Sequence, residues 1–293
     1  MMDERDWLAS HFEEHRAHLH AVAYRMLGSV TEAEDAVQEA WLRISLVDKS
    51  GVESMRGWLT TTVGRVCLNM LRSRRSRPEE SLVHVPDPVV SLEESVDPEH
   101  EALIADSVGL ALLVVLDTLA PAERLAFVLH DMFAVPFEDI ATLLERSPAA
   151  ARQLASRARR RVQGSPEPDP DLGRQREVVD AFFAASRDGD FEALVAVLDP
   201  DIELRIDGGV LRAEASLVLR GAEAVAAHAA TYSNLYPFVR PALVNGAAGA
   251  VVAPHGHLFS VMAFTASNGR ITAIDALVDP ERLAHLHLAV PGS

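Results

Sequence analysis

The chain has 293 residues, 48% of them hydrophobic, so it is long enough for two or three globular domains and is not an intrinsically disordered protein. Its 43 Asp and Glu residues outweigh 27 Lys and Arg residues, and the formal net charge of -16 argues against a broadly basic surface for nucleic acid. The single cysteine, Cys67, excludes an internal disulfide, and the apolar runs are too short to cross a membrane. We therefore expect a cytoplasmic protein with no membrane partner.

Residues 1–77 are predicted to be helical. Apolar residues recur at three- and four-residue steps up to Leu27, and Gly28-Ser29 is expected to end this first helix. The segment Thr31-Glu-Ala-Glu34 has the form of a capping box that starts a second helix. Beside its buried stripe, the second helix carries another stripe made of Asp35, Gln38, Glu39 and Leu42. That stripe is either a solvated face, which the pattern alone favours, or a docking face for a partner.

A third predicted helix follows a polar loop at 46–54 and ends in an arginine run. Its polar face and the run present Arg65, Asn69, Arg72, Arg74, Arg75 and Arg77. Arginine binds phosphates and asparagine reads base edges, so this combination predicts a contact with DNA. The simpler alternative is a helix that ends in positive charge near its carbonyl end, but that does not require four arginines in six residues.

Two segments that contain several prolines divide the chain. Residues 78–106 contain nine acidic residues and no basic ones, with prolines that interrupt a helix, and are predicted to be an acidic linker. Residues 164–171 contain three prolines and are predicted to be a short extended linker. The predicted domains are therefore 1–77, 107–163 and 172–293.

Residues 107–163 carry a helix-turn-helix pattern. A short helix at 136–145 is followed by Ser147, a favourable N-cap, and by Pro148, a favourable first residue of the next helix. This next helix has small residues on one face. Its other faces are polar and basic, as in a helix that enters the major groove of DNA, and carry Arg152, Gln153, Ser156, Arg159 and Arg160.

Residues 172–293 are predicted to form an α+β domain. Helices beginning near Arg174 and after Asp190 come first. Alternating strands follow near 202–206, 241–245, 249–254, 258–266 and 270–278. Asn268-Gly269 predicts a hairpin turn between the last two strands.

Four motifs follow one another within residues 5–163. They are Asp35-Ala-Val-Gln-Glu-Ala-Trp-Leu42, Arg56-Gly-Trp-Leu59 leading to Arg72, Phe127-Val-Leu-His-Asp131, and Ala150-Ala-Arg-Gln-Leu-Ala-Ser-Arg-Ala-Arg159. Together they resemble the bacterial RNA polymerase sigma factors of the extracytoplasmic-function group. The resemblance implies two all-α domains: 1–77, which opens the −10 promoter element, and 107–163, which reads the −35 element.

The resemblance also implies a role for each polar face. The core polymerase would bind the stripe of Asp35, Gln38, Glu39 and Leu42. The −10 DNA would contact Arg65, Asn69, Arg72, Arg74 and Arg75, with the loop at 46–54 holding a flipped base. The −35 DNA would contact Arg152, Gln153, Ser156, Arg157 and Arg160. The linker at 78–106 would lie near the RNA exit region of the polymerase.

Residues 172–293 resemble the cone-shaped SnoaL-like fold, which encloses a pocket. Asp207-Gly208-Gly209 resembles the Asp-Gly-Gly-Gly-Lys element of sigma factors that carry such a domain, although Val210 and Leu211 replace its last two residues. Another element of that subgroup, Asn-Pro-Asp-Lys-Leu, resembles the segment Asp279-Pro280-Glu-Arg-Leu283. The subgroup's linker motif, Trp-Leu-Pro-Glu-Pro, is absent. The resemblance implies a regulatory domain, with a small-molecule ligand as a candidate occupant of the pocket.

A catalytic role is the weaker alternative for this domain. The acid–base candidates are Asp207, His255, His257 and Asp275, but nothing in the sequence brings them together. We predict no enzyme activity, no cofactor and no metal site. The alternative to a sigma factor is a DNA-binding regulator with a ligand-binding or cyclase-like SnoaL domain.

Overall fold

The structure is a computed structural model that describes residues 4–45, 54–75, 83–92, 109–164, 168–286 and 288. The chain divides into two compact units. The helical unit consists of Met1–Pro78 and Leu112–Ser165, and the α+β unit consists of Glu79–Ala111 and Pro166–Ser293. Helical domains followed by an α+β domain are the predicted fold class, which is confirmed. Across the described ranges, no helix is both long and apolar enough to cross a bilayer.

The helices of the first half carry the predicted apolar faces. They are α1 (Glu4–Leu27), α2 (Val30–Ile44), α3 (Met55–Arg75), α4 (Leu110–Asp117), α5 (Pro121–Phe127), α6 (Phe137–Leu144) and α7 (Pro148–Gln163), and one π-helical turn, Val128–Met132, follows α5. Apolar side chains from α1, α2 and α3, among them Leu19, Val37 and Val63, are buried. Burial of these stripes holds the three helices together.

The start of α2 differs from the predicted capping box at Thr31. Gly28 has a φ of 72°, and its N–H donates to the carbonyl of Tyr24 at 2.8 Å, which ends α1. Ser29 is extended and caps α2 by accepting a hydrogen bond from the backbone N–H of Glu32 at 3.4 Å. The glycine turn is so tight that the residue directly after it becomes the N-cap.

In its described residues, the α+β unit packs helices on a seven-stranded mixed sheet. Its elements are β1 (Val90–Leu92), α8 (Leu172–Asp188), α9 (Phe191–Val197), β2 (Leu198–Asp207), β3 (Leu217–Arg220), α10 (Ala222–Ala230), β4 (Val239–Val244), β5 (Ala247–Val252), β6 (Ser260–Ser267), β7 (Arg270–Leu277) and α11 (Pro280–Ala284). The strand order is β1-β4-β5-β6-β7-β2-β3, and all neighbours are antiparallel except the parallel pair β2 and β7. Phe182, Phe264 and Ile274 lie in the core between helices and sheet.

Two hairpins of the sheet turn at an Asn-Gly pair. Asn268 and Gly269 both have positive φ, 54° and 73°, and join β6 to β7 as predicted. Asn245 and Gly246 join β4 to β5 in the same way, although this second turn was not predicted. The short strand β3 and the helix α10 were also missed, because a four-residue strand and an alanine-rich helix give weak periodic signals.

The predicted linker at 78–106 contains a segment that belongs to the sheet. Residues 83–92 extend along the α+β unit, and β1 pairs antiparallel with β4, with Val90 opposite Val244. Val85 and Val90 are 1% and 3% exposed. The prolines that rule out a helix are compatible with an extended edge segment, and the apolar residues between them supply buried area.

Candidate nucleic-acid interface

Helix α7 is positioned by caps and by a small-residue inner face. Ser147 accepts a hydrogen bond from the backbone N–H of Ala150 at 3.2 Å, and Pro148 is the first helical residue, as predicted. The preceding helix α6 ends at Glu145 in the left-handed conformation, with a φ of 56°. The inner face of α7 is buried and consists of Ala151, Leu154, Ala155 and Ala158. The three alanines let α7 approach its neighbours closely, while the opposite face of the helix is exposed to solvent.

The outer face of α7 brings together four of the five residues predicted to contact −35 DNA. Arg152 and Gln153 are exposed, and Ser156 is half-buried. The Arg152 guanidinium donates to Glu138 at 3.0 Å and lies over the ring of Phe137. Arg160 is exposed, and its Nε donates to the carbonyl of Ser156 at 3.4 Å. Forked donors beside an amide and a hydroxyl can bind both phosphates and base edges.

The other three arginines of α7 form ion pairs within the helical unit. Arg157 lies 3.1 Å from Glu123, and Arg161 lies 3.4 Å from the same carboxylate. Arg159 lies 2.5 Å from Asp131. Arg157, which was predicted to face DNA, pairs with an almost buried glutamate of its own unit, while its own side chain remains 55% exposed. Periodicity could not show this, because Glu123 is far away in sequence.

The polar face of α3 is also exposed. Arg65, Asn69 and Arg72 are one turn apart and point to solvent, as the sequence predicts. Arg74 does not share this face, because it pairs with Glu32 and donates to the carbonyl of Leu27 at 3.4 Å. The side chain of Arg75, the residue Arg77 and most of the loop at 46–54 lie outside the described residues.

The candidate polymerase-binding stripe on α2 is one continuous surface. Asp35 and Gln38 are exposed, and the Leu42 side chain is 55% exposed. Glu39 accepts a hydrogen bond from Arg43 at 2.9 Å. An exposed leucine beside carboxylates can bury apolar area in a partner while the acidic groups attract basic side chains.

A buried arginine holds the core of the helical unit. The Arg124 guanidinium is 2% exposed, lies 2.5 Å from Asp117 and donates to the carbonyl of Arg25 at 3.3 Å. Burial lowers the pKa of Arg124, and the negative charge of Asp117 opposes this shift. Cys67 is fully buried nearby in α3, and burial raises the pKa of its thiol. The interpretation of Cys67 as a core residue is confirmed.

In the α+β unit, the two sequence elements assigned to regulation meet at the segment 83–92. Asp207 accepts hydrogen bonds from the backbone N–H of Val85 at 2.9 Å and from Arg282 at 2.7 Å. Arg282 also donates to Asp87 at 2.6 Å and to the carbonyl of Val85 at 2.5 Å. Burial lowers the pKa of Arg282, but the two carboxylates outweigh it and leave the pKa raised. We name this cluster, Val85, Asp87, Asp207 and Arg282, the segment clamp.

Glycines and caps shape the segment clamp. Gly209 has a φ of 62°, and a Cβ there would lie 1.9 Å from Asp279. A Cβ on Gly208 would lie 2.1 Å from the carbonyl oxygen of Arg212. Asp279 caps α11 by accepting hydrogen bonds from the N–H groups of Glu281 and Arg282, with Pro280 as first helical residue and Leu283 buried. Sequence reasoning identified these elements but missed the role of Arg282, because its partners are distant in sequence.

The four acid–base candidates do not converge. Asp207 belongs to the segment clamp, and Asp275 pairs with Arg205 at 2.7 Å on β2. Burial raises the pKa of Asp275, and the Arg205 charge opposes this. His255 and His257 are exposed on the loop before β6. None of the four lines the apolar cavity that lies between the helices and the sheet of this unit, and the described residues contain no cluster of three or more His, Cys, Asp or Glu suited to a metal.

Comparisons with known proteins agree with the helical architecture. The sigma-70 region 2 family matches residues 11–77, and the sigma-70 region 4 family matches 109–162. The chain is 41% identical over 276 residues to ECF RNA polymerase sigma factor SigJ of Mycobacterium tuberculosis, covering 90% of this chain and 86% of that protein. It is 36% identical to the Probable ECF RNA polymerase sigma factor SigI of Mycobacterium tuberculosis, covering 99% and 100%.

A solved structure extends this likeness to the whole chain. The crystal structure of the Mycobacterium tuberculosis extracytoplasmic function sigma factor SigJ matches with a TM-score of 0.73 and 36% sequence identity. The match covers 94% of this chain and 98% of SigJ, so it includes both the helical unit and the α+β unit.

Proposed function

We propose, because this chain belongs to the extracytoplasmic-function RNA polymerase sigma factors, that its α2, α3 and α7 carry the contacts to core polymerase, the −10 element and the −35 element. Sigma factors bind the core enzyme and promoter DNA, so each polar face of the helical unit has a natural partner. A DNA-binding regulator outside the sigma factors is not favoured, since SigI and SigJ align along most of the chain. The proposal implies a cytoplasmic location, where promoter DNA lies.

The outer face of α7 is the observation that carries this proposal. Gln153 and Arg160 are exposed on a helix whose other face is buried, and a net charge of -16 leaves little reason for such a surface without an anionic partner. We assign −35 recognition to residues 107–163 and −10 opening to residues 1–77. Within these domains the proposed −10 contacts are Arg65, Asn69 and Arg72.

We propose that the α+β unit regulates the sigma factor without catalysis, by holding the segment 83–92. The segment clamp and the pairing of β1 with β4 both bind this segment, which connects the two promoter-reading domains in the chain. Release of the segment from the sheet would therefore change how much chain can extend between these domains, and opening of the clamp would permit that release.

Transcription by purified core polymerase tests the proposed function. A library of genomic fragments is transcribed with and without the full chain, and the 5′ ends of the transcripts are mapped. We expect start sites that appear only with the chain. A set of start sites identical to that of core polymerase alone contradicts the proposal. The full chain is preferable to a truncation at Gly164, which would remove the partner strand of β1.

The polymerase-binding stripe is tested by Leu42→Ala. Removal of an exposed apolar anchor should weaken binding to core polymerase roughly tenfold, because central apolar side chains dominate such interfaces. Glu13→Ala is a matched control, since Glu13 is an exposed residue of α1 outside the stripe. Equal affinities of the two variants, measured by anisotropy of a labelled chain, contradict the assignment of the stripe.

A further inference from the structure

The α+β unit contains an apolar cavity of about 280 Å³ between its helices and its sheet. The walls come from α8, β2, α10, β6 and β7, with Phe182, Phe183, Leu204, Met262 and Ile274 among the lining residues. Small-molecule sites have volumes of roughly 300 Å³ or more, so this cavity is close to the smallest of them. Tyr232 lines the cavity and is 47% exposed, so it marks the opening.

A histidine nitrogen in the cavity wall lacks a partner within the described part of the chain. Nε2 of His228 on α10 is buried and has no hydrogen-bond partner among the described residues, although His228 lines the cavity. Burial lowers the pKa of His228, which favours the neutral imidazole. A buried polar atom without a partner costs free energy, and a ligand atom within hydrogen-bond distance would remove that cost.

The remaining polar groups of the lining favour an uncharged occupant. Among the described lining residues there is no carboxylate, and Arg212 is the one with a permanent positive charge. Its guanidinium lies over the ring of Phe259 and donates to the carbonyl of Val278 at 3.3 Å. The other polar lining residues are Ser186, Tyr232, Tyr236 and Ser260. A charged ligand would lose its hydration without a dedicated counter-ion in such a site.

We propose that this cavity binds a neutral, largely apolar ring compound whose hydroxyl group forms a hydrogen bond with Nε2 of His228. The rings of Phe182, Phe183 and Phe259 provide edges and faces for an aromatic or fused-ring ligand. A hydroxyl group both donates and accepts, so it pairs with Nε2 in either tautomer of the neutral imidazole. Binding in this cavity goes beyond promoter recognition and is measured without polymerase.

Three matched probes test the proposal by equilibrium dialysis against the full chain: naphthalene, 2-naphthol and 2-naphthoate. We expect 2-naphthol to bind about fivefold to tenfold more tightly than naphthalene, as one hydrogen bond predicts. 2-Naphthoate should bind more weakly than 2-naphthol. Absence of binding by all three probes, equal binding of the first two, or tightest binding of 2-naphthoate each overturns the proposal.

Variants locate the site and the hydrogen bond. His228→Phe should retain naphthalene binding but lose the preference for 2-naphthol, whereas His257→Phe, at an exposed histidine outside the cavity, should keep it. Ala229→Phe fills the cavity and should abolish binding of every probe. Circular dichroism melting shows whether each variant is folded. A preference that survives in His228→Phe, or binding that survives in folded Ala229→Phe, overturns the proposal.

Discussion

The arginines on the candidate DNA-binding faces of α3 and α7 differ from those beside the buried carboxylates of the α+β unit in what they face. On α3 and α7, Arg72 and Arg160 project to solvent from helices whose opposite faces are buried. In the α+β unit, Arg205 and Arg282 each contact two carboxylates, and the side chains of Asp275 and Asp207 are 2% and 1% exposed. The same side chain is therefore exposed to solvent on α3 and α7 and structural beside the buried carboxylates of the α+β unit. Its local partners, and not the net charge, determine which.

Some arginines of the helical unit also pair with carboxylates of the same unit. Arg124 is buried against Asp117, and Arg157 and Arg74 pair with glutamates of the same unit. An arginine run in the sequence thus contains both kinds of residue. Three arginine substitutions and one histidine substitution test these roles, starting with the largest expected effect.

Arg282→Ala should have the largest effect on stability. It leaves Asp207 buried without its cation, so the free energy of unfolding of the α+β unit should fall by roughly 3–5 kcal/mol. Arg282→Lys keeps the charge but not the forked hydrogen bonds, and should cost less. Hydrogen exchange of residues 83–92 measures the α+β unit, whereas the fluorescence of Trp7, Trp41 and Trp58 reports on the helical unit. Unchanged exchange in 83–92 would show that the segment clamp contributes little.

Arg160→Ala should weaken promoter binding by the holoenzyme roughly tenfold to a hundredfold, the usual cost of removing an arginine that reads a base. The stability of the helical unit should change by less than about 0.5 kcal/mol, since Arg160 is exposed. Arg157→Ala is the matched control, because Arg157 already pairs with Glu123. A larger loss of DNA affinity for Arg157→Ala than for Arg160→Ala, measured by anisotropy of a promoter fragment, would reverse the two assignments.

Arg72→Ala should act through salt dependence. Loss of one phosphate contact should reduce the slope of log affinity against log salt concentration by about one. Arg74→Ala, on the same helix but paired with Glu32, should leave that slope unchanged. Titrations of the holoenzyme with promoter DNA at several salt concentrations measure both slopes. If Arg74→Ala alone changes the slope, the −10 surface lies on the other side of α3.

The smallest expected effect concerns the pH dependence of the free energy of unfolding. Burial lowers the pKa of His20 in the helical unit and of His228 in the α+β unit. A histidine with a lowered folded-state pKa contributes stability that is fully present above its ordinary pKa of 6.5 and is lost as the pH falls through the lowered value. His228→Phe should therefore lose less stability than the wild type between about pH 7 and pH 5.

Chemical unfolding at the two pH values measures this difference. His257→Phe, at an exposed position of the same unit, should show the wild-type loss. An equal loss in His228→Phe and the wild type would mean that His228 takes up its proton as readily in the folded chain as in the unfolded one.

Much of the helical unit follows from the sequence because its signals are local. The cap at Ser147, the first-turn Pro148 and the buried face of α7 act within a few residues of one another, and all three were predicted correctly. Likewise, the exposed face of α3 with Arg65 and Asn69 follows from helical periodicity alone. The capping box at Thr31 failed because the glycine turn at Gly28 has the stronger local requirement.

The α+β unit contains contacts that local sequence patterns could not predict. The acidic composition of 78–106 indicated a linker, but β1 forms because β4, more than 140 residues later, offers an unpaired edge to Val90 and Leu92. The partner of Arg282 was likewise not readable, since Asp87 and Asp207 lie 195 and 75 residues away in sequence. Sequence patterns located both regulatory elements, but only the folded unit brought them to one segment.

The sequence by itself determined most helices of residues 1–163 and their exposed basic faces, because helix periodicity and caps operate over one or two turns. Tertiary structure alone decided which carboxylates the arginines pair with, where the segment 83–92 lies and which histidine faces the cavity. Each of these depends on a partner that is distant in the chain, and ion pairing, strand pairing and burial are properties of residues brought together by folding.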